Sequence, residues 1–214
     1  MIGIIDYGMG NLHSVSKAME RLGLSYFISP YVEELKEADG LILPGVGSFK
    51  DAMNILEADG LAPFIREWSQ ADRPLLGICL GMQLLFEESE ENGTTQGLNL
   101  LPGRVRRFRG VTEAGEAYKV PHMGWNLLTF WQPEHTLLQN TAPGHVYFVH
   151  SFVVEVKSRD ILIATCTYDV EVPAVVGQNA TMGTQFHPEK SSQLGMAMLE
   201  NFGNFVAQEV KARG

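Results

Sequence analysis

Cysteine is scarce in this chain. Only Cys79 and Cys166 occur, with no C-x-x-C pair, so neither a disulfide framework nor a zinc knuckle is expected. The six histidines fall in no H-E-x-x-H or comparable spacing, and no metal site is expected. Positive charge is short as well: the formal charge of -9 repels phosphate backbones and argues against a nucleic acid partner. The one basic cluster, Arg104, Arg106, Arg107 and Arg109, reads as a solvated strand face, with a partner or a phosphate as the alternative. No apolar run approaches the roughly 20 residues of a membrane span. The Met1 to Ile5 start lacks the basic flank of a secretion signal, so a cytoplasmic location is expected. Linker-like, repetitive and low-complexity stretches are missing, and residues 1–214 are expected to form one domain.

What is present is apolar sequence cut by glycine. Ile2 to Ile5, Ser25 to Ile28, Leu41 to Leu43 and Pro74 to Leu76 read as short strands, separated by helical patterns. Asn11 is placed to cap the first helix, which carries Leu12, Val15, Met19 and Leu22 on one face, and Ser48 a later one. Strand and helix in alternation imply an α/β fold with a mostly parallel, doubly wound central sheet and helices on both faces. Ligands of such sheets bind at the C-terminal strand ends, where Asp6, Gly45 to Gly47 and Cys79 should sit. After residue 100 strand follows strand. Val105 to Phe108, Leu127 to Phe130, Val146 to Val156, Ile161 to Tyr168, Ala174 to Val176 and Met182 to Phe186 predict an antiparallel β extension, closed by a helix from about Gln193 to Lys211.

Gly77-Ile78-Cys79-Leu80-Gly81-Met82-Gln83 stands where a strand meets a helix patterned by Met82, Leu85 and Phe86. A G-x-nucleophile-x-G elbow holds its central residue on a sharp turn, and the flanking glycines remove clashes where strand and helix cross. The N–H of Leu80 then lies at a helix start, where it can face a developing oxyanion. Pro44-Gly45-Val46-Gly47 is a second glycine loop that lets backbone N–H groups approach a substrate oxygen. By itself the elbow permits an esterase, a peptidase or an inert core thiol. His187-Pro188-Glu189 supplies the missing partners, because residues i and i+2 of an extended segment point to one side and Pro188 restricts the backbone. His187 would take the thiol proton and return it to a leaving group, while Glu189 would hold the imidazole. Gly8-Met9-Gly10 does not complete a dinucleotide fingerprint, since His13 stands where Gly or Ala is needed.

With these motifs the chain resembles the class I, or triad, glutamine amidotransferases over essentially its whole length. Gly77 to Gln83 is similar to their nucleophile motif, Pro44 to Gly47 to their oxyanion strand, and Gly183 to Glu189 to their His/Glu motif. Asp6 to Asn11, Pro121 to Asn126 and Tyr147 to Phe152 resemble the branch that serves histidine biosynthesis. The resemblance implies a triad of Cys79, His187 and Glu189, with oxyanion donors from Leu80 and from Val46 or Gly47. It further implies glutamine contacts from Gln83, Glu91 and the backbone around Ser151, and partner-facing positions at Asn11, Trp125 and Lys190. The family often has Tyr where this chain has Phe152. Glutamine would be hydrolysed to glutamate and ammonia without a cofactor, and the ammonia passed to a (β/α)8 barrel cyclase in a heterodimer. The glycine pair beside the thiol allows two backbone orientations, so that loop is expected to act as a switch. A cysteine peptidase and a non-catalytic binding subunit are the alternatives; glutamate release from free glutamine separates the first, and Cys79→Ala the second.

Overall fold

The structure, a computed structural model, describes residues 1–213. Its first strand, β1 (Ile2–Ile5), is buried along its whole length, as an unbroken apolar run in a parallel sheet must be. Asn11 caps α1 (Leu12–Arg21), its side-chain oxygen accepting the Ser14 N–H at 3.2 Å. The alternation continues through β2 (Tyr26–Ser29), α2 (Val32–Leu35), β3 (Gly40–Gly45), α3 (Phe49–Ala58), α4 (Leu61–Gln70) and β4 (Leu75–Cys79). A short helix, α5 (Leu80–Leu84), leaves directly from the end of β4.

From there strands dominate: β5 (Phe86–Ser89), β6 (Thr95–Gln96), β7 (Leu101–Arg107), β8 (His122–Leu127), β9 (Thr129–Phe130), β10 (His145–His150) and β11 (Phe152–Val156). Three more, β12 (Leu162–Tyr168), β13 (Val170–Gln178) and β14 (Thr181–Thr184), precede the closing helix α6 (Ser192–Arg213). The main sheet has the order β2-β1-β3-β4-β14-β13-β12-β9. Its first five strands run parallel, and the remaining pairings are antiparallel. The β-rich half therefore both extends the main sheet and builds two smaller ones, β11-β7-β5-β6 and β10-β8. Helices α1 and α6 bury Val15, Met19, Met198 and Phe202 on one face of the main sheet. On the other, α3 and α4 bury Phe49, Leu56, Ile65 and Trp68, each side chain contributing about 1.5–3 kcal/mol of transfer free energy.

Four local expectations change. Phe86 begins a strand, because it pairs with Leu101 at the start of β7 and the chain leaves the helix to join that sheet. The segment Val146 to Val156 is two strands, broken at Ser151 where the chain passes from pairing with β8 to pairing with β7. Leu127 to Phe130 is likewise split between the end of β8 and β9. His187 is extended, but Pro188–Lys190 forms one 3-10 turn, so the His187 and Glu189 side chains meet across a turn rather than along a strand.

No described helix is long and apolar enough to cross a membrane. Two of the four clustered arginines pair with one carboxylate on the neighbouring strand: Arg104 Nε lies 2.7 Å from Glu155 Oε2, and Arg106 Nε 3.4 Å from Glu155 Oε1.

Candidate functional site

Parallel register assembles the site. Gly45 on β3 pairs with Cys79 on β4, and Thr184 on β14 pairs with Ile78, so the chain segments leaving these three strands emerge side by side. Cys79 adopts φ 57° and ψ -111°, a conformation that costs an L-residue about 1–3 kcal/mol and is held only by its surroundings. Glycine explains how it is held. A Cβ on Gly81 would lie 1.8 Å from the Leu43 carbonyl oxygen, and one on Gly77 2.7 Å from the Gly81 carbonyl oxygen. Any side chain at either position would push the elbow off the sheet.

His187 Nδ1 lies 2.8 Å from Glu189 Oε1, with both side chains buried. The other ring nitrogen, Nε2, is left for Cys79, which lines the same cavity as His187 and acts on its charge. The imidazole is pushed up to about 10: burial disfavours its charge, but the hydrogen bonds and negative charges of Cys79 and Glu189 outweigh that penalty. Glu189 Oε2 is buried without a partner among the described residues, so this carboxylate's compensation comes from the imidazole. The three residues thus stand in the order that a nucleophile, its base and an orienting carboxylate would require. Cys166 is pushed up to about 12 by burial, and it lies on β12 away from this cluster.

A cavity of about 390 Å³ opens onto Cys79, with Gln83, Glu91, Ser151, Val46 and Gly47 on its walls. Both hydrogens of Gln83 Nε2 are used, one on the Phe152 carbonyl at 3.2 Å and one on Gln185 Oε1 at 3.0 Å. What Gln83 offers the cavity is therefore its Oε1 acceptor. Glu91 Oε2 accepts the Phe49 N–H at 2.8 Å, which caps α3 and fixes the carboxylate in the wall. Leu80 stands at the start of α5, where its N–H has no intrahelical acceptor. Val46 differs from expectation. Its N–H donates to the Met9 carbonyl at 2.8 Å, so in this conformation it is turned away from the cavity, while Gly47 sits at φ 98°.

The partner-facing candidates gather at one edge. Trp125 on β8 meets Tyr147 on β10 edge-on at 5.9 Å. The Tyr147 N–H donates to Ser191 Oγ at 3.0 Å, next to exposed Lys190. The Pro188–Lys190 turn packs against α1, whose cap is Asn11. Met123, Trp125 and Leu127 are 60%, 54% and 49% exposed and alternate along β8, so one face of this ribbon is an uncovered apolar row.

Sequence reasoning gave no role to Tyr7, Gln185 or the His122–His150 pair. Tyr7 Oη donates to the Pro44 carbonyl at 2.9 Å and clamps the glycine loop; burial and the nearby Cys79 charge hold its phenol protonated. Gln185 Nε2 lies 3.9 Å from Cys79 Sγ. A polar amide in an apolar segment two residues before His187 was the available signal.

The family model described as glutamine amidotransferase class-I matches residues 3–205. Among curated proteins, the chain is 65% identical over 214 residues to "Imidazole glycerol phosphate synthase subunit HisH" of Halalkalibacterium halodurans, covering 100% of both chains. It is 56% identical to the protein of the same name from Bacillus subtilis, covering 98% of each. Among solved structures, one titled "Crystal structure of glutamine amidotransferase" superposes with a TM-score of 0.75 at 19% identity, covering 96% of this chain and 98% of that one. "Structure of PurLQS from Thermotoga maritima" gives 0.73 at 17% identity, over 95% and 97%. At those identities the structural matches speak to the fold alone.

Proposed function

The chain belongs to the class-I glutamine amidotransferase family, and on that premise we propose that it is a glutaminase, one domain over residues 1–214, supplying ammonia for imidazole glycerol phosphate synthesis. The observation that carries this reading is the strained Cys79 beside a His187 that Glu189 orients, at the mouth of a cavity offering two acceptors. Gln83 Oε1 and the Glu91 carboxylate suit the ammonium of a free amino acid, and the Ser151 segment suits its carboxylate. The side-chain amide then reaches Cys79.

Cys79 Sγ attacks the amide carbon, forming the C–S bond and an oxyanion that the Leu80 N–H meets. As the C–N bond breaks, His187 gives its proton to the leaving nitrogen and ammonia departs. Water next attacks the thioester while His187 takes a proton from it, and the C–S bond breaks to release glutamate and return the charge to sulfur. Glu189 holds the ring in the orientation both transfers require. A second oxyanion donor needs the Val46 N–H to leave the Met9 carbonyl. Rotation of the Gly45–Val46 peptide would do this, with Gly45 free of the side chain that would resist it, so the loop acts as a switch.

Ammonia is useful only if consumed, and the high-identity relatives are named as subunits of a synthase. A (β/α)8 barrel cyclase docked over the apolar β8 row, Asn11 and Lys190 fits that edge, in a cytoplasmic heterodimer. The test is glutamate release from free glutamine, alone and with the cyclase and its ligand. A slow basal rate that rises about 10²–10³-fold, the worth of one oxyanion donor, is expected. No glutamate under either condition would overturn the glutaminase reading; a rate indifferent to the cyclase would overturn the switch.

A further inference from the structure

Two buried histidines lie beside this site and take no part in the chemistry above. His150 Nδ1 is 2.7 Å from the Phe152 carbonyl, His122 Nδ1 is 2.9 Å from His150 Nε2, and Asn126 Nδ2 is 3.4 Å from His122 Nε2. The direction of every bond in this chain is dictated by its ends. A carbonyl can only accept, so His150 carries its proton on Nδ1 and presents a lone pair at Nε2. At the far end, the Asn126 amide is pinned on both sides: its Nδ2 donates to the Thr167 carbonyl at 2.8 Å, and its Oδ1 accepts the Leu127 N–H at 2.8 Å. Asn126 therefore donates to His122 Nε2, and His122 must hold its proton on Nδ1 and give it to His150. Both rings are neutral and each in one tautomer. A second proton on either would set donor against donor, and burial independently pushes His150 down to about 3 and His122 to about 4. Every ring nitrogen is engaged, so the pair is no metal site, and the chain ends on a carbonyl, so it is no proton route to Cys79.

We propose that His122 and His150 are positioning residues for the glutamine pocket, aiming the Phe152 carbonyl so that the Gln83 amide presents its oxygen to the substrate. The Phe152 carbonyl accepts from both His150 and Gln83: Phe152 pairs with Arg107 at the start of β11, but the Phe108 N–H bonds the Ser151 carbonyl, so in the alternating ladder the Phe152 carbonyl points away from β7. His150 supplies the restraint the ladder does not, and His122 holds His150. The His122 ring is itself fixed between Phe148 and Tyr168, stacked on them with centroids 4.5 and 4.0 Å away. If the Phe152 carbonyl turned, Gln83 could invert and show the pocket an N–H₂ that repels an ammonium. This inference rests on the glutaminase reading.

His122→Phe keeps an aromatic ring in the stack and deletes the donor; His122→Asn deletes the ring and keeps an N–H at nearly the Nδ1 position. In the full chain with its cyclase, His122→Phe should raise KM for glutamine about tenfold, the worth of roughly one restrained hydrogen bond, with kcat within about twofold. His122→Asn should bring KM back to within about threefold of the parent. The rate of Cys79 alkylation by iodoacetamide should be the same in all three proteins. An unchanged KM in His122→Phe, or His122→Asn as impaired as His122→Phe, or alkylation slowing in step with KM, would overturn the inference. Should His122→Phe not fold, nitrogen-15 histidine spectra of the parent chain decide: both rings neutral with the proton on Nδ1 at pH 7 supports it, and a proton on His150 Nε2 sinks it. These spectra need no activity. A parent chain that releases no glutamate removes the glutaminase reading; an active parent beside an unaffected His122→Phe removes only this inference.

Discussion

Two regions of the molecule bury imidazole beside the same cavity. At the end of β14, His187 is flanked by a sulfur and a carboxylate, and its affinity for a proton rises to about 10 despite burial. Beside the same cavity, His150 and His122 face a carbonyl, each other and an amide, and burial, joined at His150 by repulsion from the His122 and His187 charges, drives them down to about 3 and 4. The residue type and the burial are shared, so the difference lies in the charge of the groups opposite. A ring bonded to anions is suited to carry a proton; a ring bonded to carbonyl and amide dipoles is suited to be a rigid donor-acceptor spacer.

The sharpest break of that contrast is removal of the sulfur. Cys79→Ala should lower glutaminase kcat by about 10⁴-fold or more, since a nucleophile and its base act as a unit. Cys79→Gly should be equally inactive but more stable by about 1 kcal/mol, because glycine tolerates the positive φ that Cys79 is forced into, as chemical denaturation would show. A Cys79→Gly protein no more stable than Cys79→Ala would mean the elbow is not strained. Removing the carboxylate charge comes next: Glu189→Gln should cost about 10³-fold in kcat with little change in KM, a smaller loss because the ring keeps a partner. Trp125→Ala should leave the isolated chain unaltered and weaken binding to the cyclase by about 30-fold, measured by titration, if the exposed β8 row is the docking face.

How legible each region was follows from the same physics. The elbow could be read because its glycines are required by contact: at Gly81 a Cβ has no room at all, and the requirement is written as a spacing. The His187–Glu189 contact could be read because the two residues stand two apart in one segment. Strand β8 could not, since its pattern is inverted: His122, Gly124 and Asn126 face inward and Met123, Trp125 and Leu127 outward. A rule that puts apolar residues inside finds no strand there. The orientation of the Val46 peptide was also invisible, because a backbone hydrogen bond to Met9 leaves no mark on side-chain identity. The histidine pair needed the pairing of β8 with β10, which brings His122 opposite His150.

The contrast also predicts opposite pH limbs. His187 is raised above its unfolded value of about 6.5, so its stabilisation is complete below that pH and is lost as pH rises through about 10. The pair is lowered, so its contribution is complete above about 6.5 and is lost as pH falls toward 4 and 3. At pH 5 the unfolded rings are charged and the folded ones are not, which destabilises the fold by about 2 kcal/mol for each ring relative to pH 7. Urea unfolding at pH 5, 7 and 9 should show Glu189→Gln flattening the alkaline limb alone, and His122→Asn shrinking the acid limb by about 2 kcal/mol. If either variant moved both limbs, the two regions would be one electrostatic unit and the contrast would fail.

The smallest expected effect is a control on the premise that the charge facing a buried group, and not charge in general, sets the behaviour of the site. Arg104 pairs with Glu155 at 2.7 Å, but both side chains are well exposed, at 59% and 43%, so water screens the attraction and ordering two long side chains offsets much of what remains. Arg104→Ala should therefore change neither kcat nor KM, and should leave the urea unfolding midpoint where it is in the parent. The same charge facing the inside of the pocket would be worth several times more. A substantial loss of glutamine turnover in Arg104→Ala would mean that the β7–β11 face reaches the pocket electrostatically, and the local account of the two imidazole environments would have to give way to a field set by the whole surface.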